Sequence, residues 1–298
     1  MMLSFTKMQA FGNDYVYVDA IHQNLSNLNR LAQFLSDHHF GVGSDGMVLI
    51  CPSEQADFRM RIFNPDGTEA EMCGNAIRSV GKYVYDHHLT DKTFLLIETL
   101  GGIKRLWLDV KDGVVVNIKA DIDAPVLDTK KIPVVTPAPE YIDRETTVLD
   151  KMFFTTAVSW GNPHCVSFVE NVNRFDVAKY GPAFENKTAL FPNRTNVTFA
   201  QFIARDRLRI REWERGTGET IGCGTGCCTA VVAAVLTGRC DRQVTVEQIG
   251  GNLEITWEPD PQPDSEEAKA GQKYGHMLMK GPSHLVFESE IDVSSIIK

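Results

Sequence analysis

The sequence predicts an α/β (α+β) fold of two similar, pseudo-symmetric domains, in each of which a curved or barrel-like, mainly antiparallel sheet surrounds a central helix. One observation is a series of short β-rich stretches, such as YVYVD, MVLIC and FRMRIF, which are typical of strands. A second is that an apolar stretch with helical character follows a Cys-Gly step at both Cys73 and Cys223. A third is that these cysteines are 150 positions apart in a chain of 298 residues, which indicates an internal duplication.

The duplication extends beyond the two cysteines. The steps Gly12-Asn13 and Gly161-Asn162 each precede an extended apolar run, and they are 149 positions apart. Four further pairs of identical residues share the shift of 150, namely Arg59 and Arg209, Arg61 and Arg211, Glu69 and Glu219, and Gly74 and Gly224. We therefore predict two halves of similar structure, each built as one sheet around one helix.

The individual elements can be placed in chain order. SNLNRLAQFLSDHH predicts a helix capped by Ser26 or Asn27, whereas AIRSVGKYVYDHH and CCTAVVAAVLTG predict the two central helices. Four prolines between residues 122 and 141 mark the join between the halves. We expect an N-terminal domain of residues 1–123, completed by a C-terminal strand at 284–298, and a C-terminal domain of residues 124–283.

Composition excludes several classes of function. The net charge of -9 disfavours nucleic acid or an anionic membrane as a partner. No apolar run is long enough to cross a bilayer, and the first residues do not resemble a signal peptide, so we expect a cytoplasmic protein. The seven cysteines are odd in number and scattered, which predicts thiols rather than disulfides.

Metal and nucleotide sites are also disfavoured. The C-x3-C-C spacing after residue 222 has no second pair nearby along the sequence, unlike usual zinc sites. The stretch GTGETIGCGTG lacks the lysine of a phosphate-binding loop and the strand context of a dinucleotide fold. We expect neither a metal nor a cofactor.

A cysteine at the start of each central helix indicates a chemical role. The first turn of a helix has unpaired N–H groups and the positive end of the helix dipole. A thiol at that position is expected to have a lowered pKa, and a carboxylate can dock on the N–H groups beside it. If both halves face one cleft, one thiolate can remove a proton from the carbon next to the carboxylate while the other thiol returns a proton to the opposite face.

The motifs also carry a family resemblance along the whole chain. FGNDYVYVD, FGVGSDG, RIFNPDGTEAEMCGNAIR, WGNPHCV, RTNV, WERGTGET and CGTG occur in the order found in diaminopimelate epimerases. The resemblance implies a cofactor-independent isomerase that interconverts LL- and meso-2,6-diaminopimelate on the route to lysine and peptidoglycan, with two domains of similar fold closing over the substrate. The expected partner is therefore a small amino acid with two charged ends, and a homodimer is a candidate assembly.

The resemblance assigns a role to individual residues. It makes Cys73 and Cys223 the two acid/base residues, and it places the reacting carboxylate on Gly74 and Asn75 in one half and on Gly224 and Thr225 in the other. It makes His164 and Glu214 the residues that tune the thiols. The remaining substrate-pocket positions that it implies are Asn13, Asn64, Asn162, Asn196, Glu214 and Arg215. Arg215 has a chemical reason to hold the distal carboxylate, because a guanidinium forms a forked pair with it.

Three positions depart from the common family pattern, and two other functions remain open. Gly46 stands where many members have a glutamine, Ala76 where a second glycine is usual, and Ser79 where a cysteine is frequent. The first alternative is a related racemase of another amino acid, which would have no use for residues that bind a second charged end. The second is an amino-acid-binding protein without catalytic activity, which would need neither cysteine.

Overall fold

The computed structural model describes residues 1–296, which divide into two compact units. One unit comprises Met1–Ala120 together with the chain from Lys280 onward, and the other comprises Asp121–Met279. The sequence places these joins after residues 123 and 283. Residues 297 and 298, at the end of the expected strand 284–298, lie outside the described residues.

The N-terminal unit consists of one sheet and two helices. Its elements are β1 (Met2–Ala10), β2 (Asn13–Asp19), α1 (Leu28–Ser36), β3 (Met47–Cys51), β4 (Phe58–Phe63), β5 (Glu69–Ala70), α2 (Gly74–Asp86), β6 (Phe94–Thr99), β7 (Gly102–Lys111), β8 (Val114–Asp121) and the late strand β18 (His284–Asp292). The strands are hydrogen-bonded in the order β18-β1-β2-β3-β4-β6-β7-β8, and β5 lies beside β4. Only the β2–β3 and β4–β6 pairs among these are parallel, so the sheet is mainly antiparallel.

The central strands of this sheet are buried on both faces. Tyr15 and Tyr17 of β2 pack with the α2 side chains, whereas the intervening Val16 and Val18 pack with α1 on the other face. Side chains of a strand alternate between faces, so a strand covered on both sides has an almost continuous apolar sequence. This double burial explains the runs YVYV and MVLIC.

Helix α2 fills the concave side of the N-terminal sheet. Eleven of its 13 residues are buried, including Arg78 and Lys82. The Lys82 ammonium donates hydrogen bonds to Asp86 Oδ2 (2.6 Å) and to the carbonyl of Val115 (2.7 Å), which offsets the cost of burying its charge. The prediction of a buried central helix is confirmed.

The C-terminal unit repeats this arrangement. Its elements are β9 (Arg144–Val148), β10 (Lys151–Ser159), β11 (Pro163–Phe168), a 3-10 helix (Val172–Arg174), α3 (Val177–Glu185), β12 (Asn196–Ala204), β13 (Arg207–Glu214), β14 (Gly218–Thr220), α4 (Gly224–Leu236), β15 (Gln243–Gln248), β16 (Gly251–Trp257), α5 (Glu266–Lys269) and, at the boundary, β17 (Met277–Gly281). Its strand order is β9-β10-β11-β12-β13-β15-β16, with β14 beside β13. Each pair has the same direction as its counterpart in the N-terminal unit, with parallel pairing only at β11–β12 and β13–β15 among these pairs.

The repeat extends to individual ion pairs. The Arg61–Glu69 pair joins β4 to β5, and the Arg211–Glu219 pair joins β13 to β14. The two sheets are curved and do not close, and α2 and α4 both have 13 residues. The predicted fold class is therefore confirmed, with an open curved sheet in place of a barrel.

Two details of the helices differ from the sequence-based expectations. Asn27 is the residue that precedes α1, but its backbone is left-handed (φ 52°) and its side chain makes no cap hydrogen bond. The sequence predicts no helix at α3, because Gly181 and Pro182 lie inside it. A Cβ on Gly181 would lie 2.5 Å from Trp213 Cγ, so the glycine allows α3 to pack closely on β13. None of the described helices has the length and apolar composition needed to cross a lipid bilayer.

Candidate active site

Both cysteines occupy the same position relative to their helices. Cys73 precedes α2 and Cys223 precedes α4, each with an extended backbone (φ -137° and -129°), and each carbonyl accepts the first hydrogen bond of its helix. At Cys223 the sulfur also accepts a hydrogen bond from the backbone N–H of Gly226, at 3.4 Å. A first-turn N–H group of α4 therefore points at the Cys223 sulfur.

Cys73 lies against two side chains of β2. Its thiol donates to Asn13 Oδ1 at 3.5 Å, and the Tyr15 hydroxyl donates to its sulfur at 3.8 Å. Asn13 and Tyr15 are two positions apart on one strand, so both side chains point to the face that carries α2. The structure thus places Asn13, predicted as a substrate-pocket residue, beside Cys73, together with Tyr15.

A buried arginine orders the first turn of α2. Arg78 has no exposed surface, and it donates to the carbonyl of Gly74 (3.0 Å) and to Asn75 Oδ1 (2.7 Å). Asn75 Nδ2 in turn donates to Asn13 Oδ1, at 3.3 Å. The predicted residues Asn13, Gly74 and Asn75 therefore form one hydrogen-bonded group around Cys73.

Cys223 has a corresponding group around it. Thr225 Oγ1 lies 3.4 Å from the Cys223 sulfur. The backbone N–H of Cys223 donates to Gln248 Oε1 at 2.9 Å. Gly226 has no room for a side chain, because a Cβ there would lie 2.4 Å from Glu212 Oε2. The pattern CGTG therefore reflects close packing of the first turn of α4 against β13.

His164 and Asn196 are linked to the backbone at Arg215. Asn196 Oδ1 accepts from the backbone N–H of Arg215 at 2.8 Å, which orients the amide, and its Nδ2 donates to the carbonyl of Pro163 (3.2 Å) and to His164 Nε2 (3.3 Å). His164 Nε2 is therefore an acceptor, and its proton lies on Nδ1. Burial lowers the pKa of His164 to about 4, so the ring is neutral near pH 7.

Glu212 is a buried acid that the sequence reasoning does not identify. Its Oε2 accepts a hydrogen bond from Thr198 Oγ1 at 2.5 Å, and its Oε1 lies 3.7 Å from His164 Nδ1. Neither Oε1 nor His164 Nδ1 has a hydrogen-bond partner within the usual distance among the described residues. Burial raises the pKa of Glu212 to about 8. Strand alternation is a signal that could have found it, since Glu212 and Glu214 share one face of β13.

The other predicted residues lie at strand ends. Glu214, at the end of β13, accepts from Thr220 Oγ1 at 2.6 Å, and the Arg215 side chain donates to the carbonyl of Asn193 at 2.8 Å. Asn162 lies in the turn before β11, where its carbonyl accepts from the N–H of Trp160. Asn64 lies in the turn between β4 and β5 and hydrogen-bonds Thr68 rather than a member of the Cys73 group.

The expected lowering of the thiol pKa values is wrong for the protein without substrate. Burial raises the pKa of the Cys73 thiol, and this outweighs the opposing effect of the first-turn N–H groups and of Tyr15. The pKa of Cys223 is raised further, by burial and then by the nearby Glu214 and Glu212. The sequence shows that a helix begins at each cysteine, but it does not show how much water the fold removes from the sulfur.

The three residues that depart from the family pattern, Gly46, Ala76 and Ser79, each fit their local surroundings in the structure. Gly46 has a positive φ of 153°, and a Cβ there would lie 2.3 Å from the carbonyl oxygen of Phe63 and 2.9 Å from Tyr15 Cε1. Ala76 is fully buried and accepts a hydrogen bond from the Tyr17 hydroxyl through its carbonyl, at 3.4 Å. Ser79 shares a 2.7 Å hydrogen bond with Ser283.

Comparison with known proteins identifies the relatives of this chain. The family model for diaminopimelate epimerase matches residues 5–124 and 156–273. The chain belongs to the diaminopimelate epimerase family. The diaminopimelate epimerase of Methanococcus maripaludis strain C5 is 49% identical over 98% of this chain and 100% of that protein. The diaminopimelate epimerase of Acetivibrio thermocellus is 46% identical over 99% of this chain and 100% of its own length.

The family fold is also found in more distant proteins of known structure. A probable proline racemase from Agrobacterium radiobacter K84 superimposes with a TM-score of 0.71 at 14% identity, covering 98% of this chain and 93% of that one. At this identity the similarity concerns the fold alone.

Proposed function

We propose that this chain is a cofactor-independent epimerase that interconverts LL- and meso-2,6-diaminopimelate through two cysteines. Cys73 and Cys223 lie at the N-termini of equivalent helices, α2 and α4, in two units of the same topology. Membership of the diaminopimelate epimerase family supports the substrate, and the equivalent placement of the two thiols is the observation that carries the mechanism.

The reaction exchanges one proton for another at a single carbon. One cysteine, as thiolate, takes the α-proton: the C–H bond breaks and an S–H bond forms. The other cysteine, as thiol, gives its proton to the opposite face of the carbon, and the configuration is inverted. The two cysteines exchange roles in the reverse reaction.

The α-carboxylate of the substrate takes up the negative charge of the intermediate that forms when the α-proton is removed. The negative charge that develops on removal of the α-proton spreads onto the carboxylate oxygens, and donors already aimed at them lower the barrier. We assign this role to the N–H groups at Gly74 and Asn75 and at Gly224 and Thr225, because they belong to the first turns of α2 and α4.

The second amino-acid end of the substrate needs charged and bifunctional partners. We assign its carboxylate to Arg215, and on the family pattern we assign the lining of the substrate pocket to Glu214 and the asparagines 13, 64, 162 and 196. The guanidinium suits a carboxylate, and amides can serve an ammonium and a carboxylate equally. A mechanism with two free thiols also requires a reducing compartment, so we place the enzyme in the cytoplasm.

The test is inversion of purified substrate by purified protein. LL-diaminopimelate is incubated in deuterated water, and its stereoisomers and α-deuterium content are followed by chirality-resolved chromatography with mass detection. Cys73→Ala and Cys223→Ala should each abolish inversion. Cys51→Ala is the matched control, because Cys51 is a half-buried thiol on β3, and this variant should retain activity.

The same assay separates the alternatives. Faster racemisation of amino acids with one carboxylate would identify a racemase of a different substrate. Binding of diaminopimelate without α-hydrogen exchange would identify a binding protein. Full activity of a variant that lacks both cysteines would refute the mechanism.

A further inference from the structure

A thiol that serves as both acid and base needs a hydrogen-bond partner in each protonation state. For the protonated state, Cys73 has Asn13 Oδ1, which accepts the S–H bond at 3.5 Å. Once the proton has left, the same oxygen faces a negatively charged sulfur and no longer attracts it. The thiolate therefore needs donors instead.

Tyr15 is placed to be such a donor. Its hydroxyl donates to the Cys73 sulfur at 3.8 Å. Burial, and then the proximity of Cys73, raise the pKa of the Tyr15 phenol, so that it keeps the proton it has to donate.

The fold holds the Tyr15 ring in position. The ring packs edge-on against Tyr17, with centroids 6.5 Å apart, and it is 7% exposed. It also covers Gly46, where a Cβ would lie 2.9 Å from Tyr15 Cε1. The glycine that departs from the common family pattern thus provides the space that the tyrosine ring needs.

We propose that Tyr15 is a positioning residue for the proposed reaction, whose hydroxyl donates to the Cys73 sulfur and stabilises it when Cys73 is a thiolate. The proposal rests on the proposed function in one respect, namely that Cys73 exchanges a proton with the substrate. The step makes and breaks hydrogen bonds only. Tyr15 keeps its own proton, and the substrate proton goes to sulfur.

Other groups in the N-terminal unit act on the same sulfur. Arg78 on α2 favours the thiolate electrostatically, as do the backbone N–H groups of Asn75 and Ala76. Tyr17 on β2 lies near Cys73 but directs its hydroxyl to the carbonyl of Ala76. Asp45 bonds Asn13 Nδ2 at 2.8 Å and so acts through the amide.

The two halves differ at this position. At the shift of 149, Tyr15 corresponds to His164, whose Nε2 accepts from Asn196. Cys223 instead has Glu214 and Glu212 nearby, and both disfavour its thiolate. Among the described residues, a tyrosine hydroxyl therefore donates to the sulfur of Cys73 and not to that of Cys223.

The experiment measures the titration of Cys73 without turnover. Wild type, Tyr15→Phe and Tyr17→Phe are pulsed with iodoacetamide between pH 6 and 11, and alkylation of the Cys73 peptide is quantified by mass spectrometry. The free energy of a hydrogen bond to a charged group is equivalent to a pKa shift of about one unit. Tyr15→Phe should therefore raise the midpoint of Cys73 alkylation by about one pH unit, and at pH values below the midpoint alkylation should be about tenfold slower than in wild type. Tyr17→Phe should leave the midpoint unchanged, and Cys51 in the same digest is an internal reference for every variant.

A second substitution is expected to act in the opposite direction. A fluorinated tyrosine at position 15 keeps the ring in place and makes its hydroxyl a stronger donor, so the Cys73 midpoint should fall. The acidic limb of the pH profile of kcat/KM should move to higher pH in Tyr15→Phe and to lower pH with the fluorinated tyrosine. An unchanged midpoint in Tyr15→Phe, or an equal shift in Tyr17→Phe, would overturn the proposal. Activity of Cys73→Ala would instead refute the proposed function, and the titration would still decide the role of Tyr15.

Discussion

Oε1 of Glu212 lies 3.7 Å from Nδ1 of His164, and both side chains are buried. Burial raises the pKa of the acid to about 8 and lowers the pKa of the imidazole to about 4. Near pH 7 the two groups are therefore neutral. This neutral pair depends on pH, which can be tested.

Glu212→Gln should change how stability depends on pH. Because the pKa of Glu212 is raised in the folded state, the folded protein holds a proton that the unfolded chain releases above its ordinary pKa of about 4.3. Stability is therefore lost as the pH rises from about 5 to about 8, by up to about 1.4 kcal/mol per pH unit. Glutamine mimics the protonated acid, so the variant should lack this loss in urea unfolding at several pH values.

The matched control for that substitution is Glu254→Gln, which removes an exposed carboxylate from β16. Its stability should follow the wild-type pH dependence. A constant difference between Glu212→Gln and wild type from pH 5 to pH 8 would show that Glu212 is already ionised in the folded protein.

Gly226→Ala should destabilise the protein through one contact. The added Cβ would lie 2.4 Å from Glu212 Oε2 and 2.7 Å from its Cδ, which is too close for any real pair. Overpacking of this kind costs about 1 to 3 kcal/mol. In Glu212→Ala the contact is absent, so adding Gly226→Ala to that variant should cost much less. Equal costs in both backgrounds, measured by urea unfolding, would contradict the contact.

Arg61→Met and Arg211→Met should differ although the two arginines are equivalent in the duplication. Arg61 forms a forked pair with Glu69, and both side chains are partly exposed, so its loss should cost about 1 kcal/mol or less. Arg211 also donates to the carbonyls of Val172 (3.1 Å) and Phe175 (2.8 Å). Each carbonyl also accepts from a backbone N–H, so the loss is that of two hydrogen bonds from a charged donor, which should add about 1 to 3 kcal/mol. Thermal and urea unfolding compare the two, and equal losses would show that the carbonyl bonds contribute nothing.

Arg215→Lys should raise KM for diaminopimelate more than it lowers kcat. Lysine keeps the charge but cannot form the forked pair with a carboxylate, so we expect a loss of about tenfold or more in kcat/KM. Arg205→Lys is the control, because Arg205 pairs with Asp241 at an exposed position. An unchanged KM in Arg215→Lys would remove Arg215 from the substrate site.

The sequence predicts the duplicated fold well because both of its signals are local. The apolar stretches after Cys73 and Cys223 are long enough to identify α2 and α4, and the repeated motifs give their register. Helix α3 is missed for a physical reason. Gly181 disfavours a helix when considered alone, and only the packing of Trp213 against it explains why the glycine is there.

The site is predictable where it depends on motifs and not where it depends on burial. The motifs single out Asn13 and Asn75, which lie around Cys73, but the raised pKa of the thiol follows from the removal of water by the folded sheet. Tyr15 and Glu212 are missed because tyrosine and glutamate on strands usually have structural roles or face water. Their proximity to sulfur, or to the turn that holds it, depends on which strands are neighbours.

The position of β18 beside β1 has a consequence for biosynthesis. In the C-terminal unit the equivalent strand, β9, immediately precedes β10 in the chain, so that unit is translated as one continuous segment. The N-terminal sheet instead receives its last strand from residues 284–292. During translation the edge of β1 that pairs with β18 therefore stays unpaired until residues 284–292 have been synthesised. The unit that is synthesised first is thus the last to be completed.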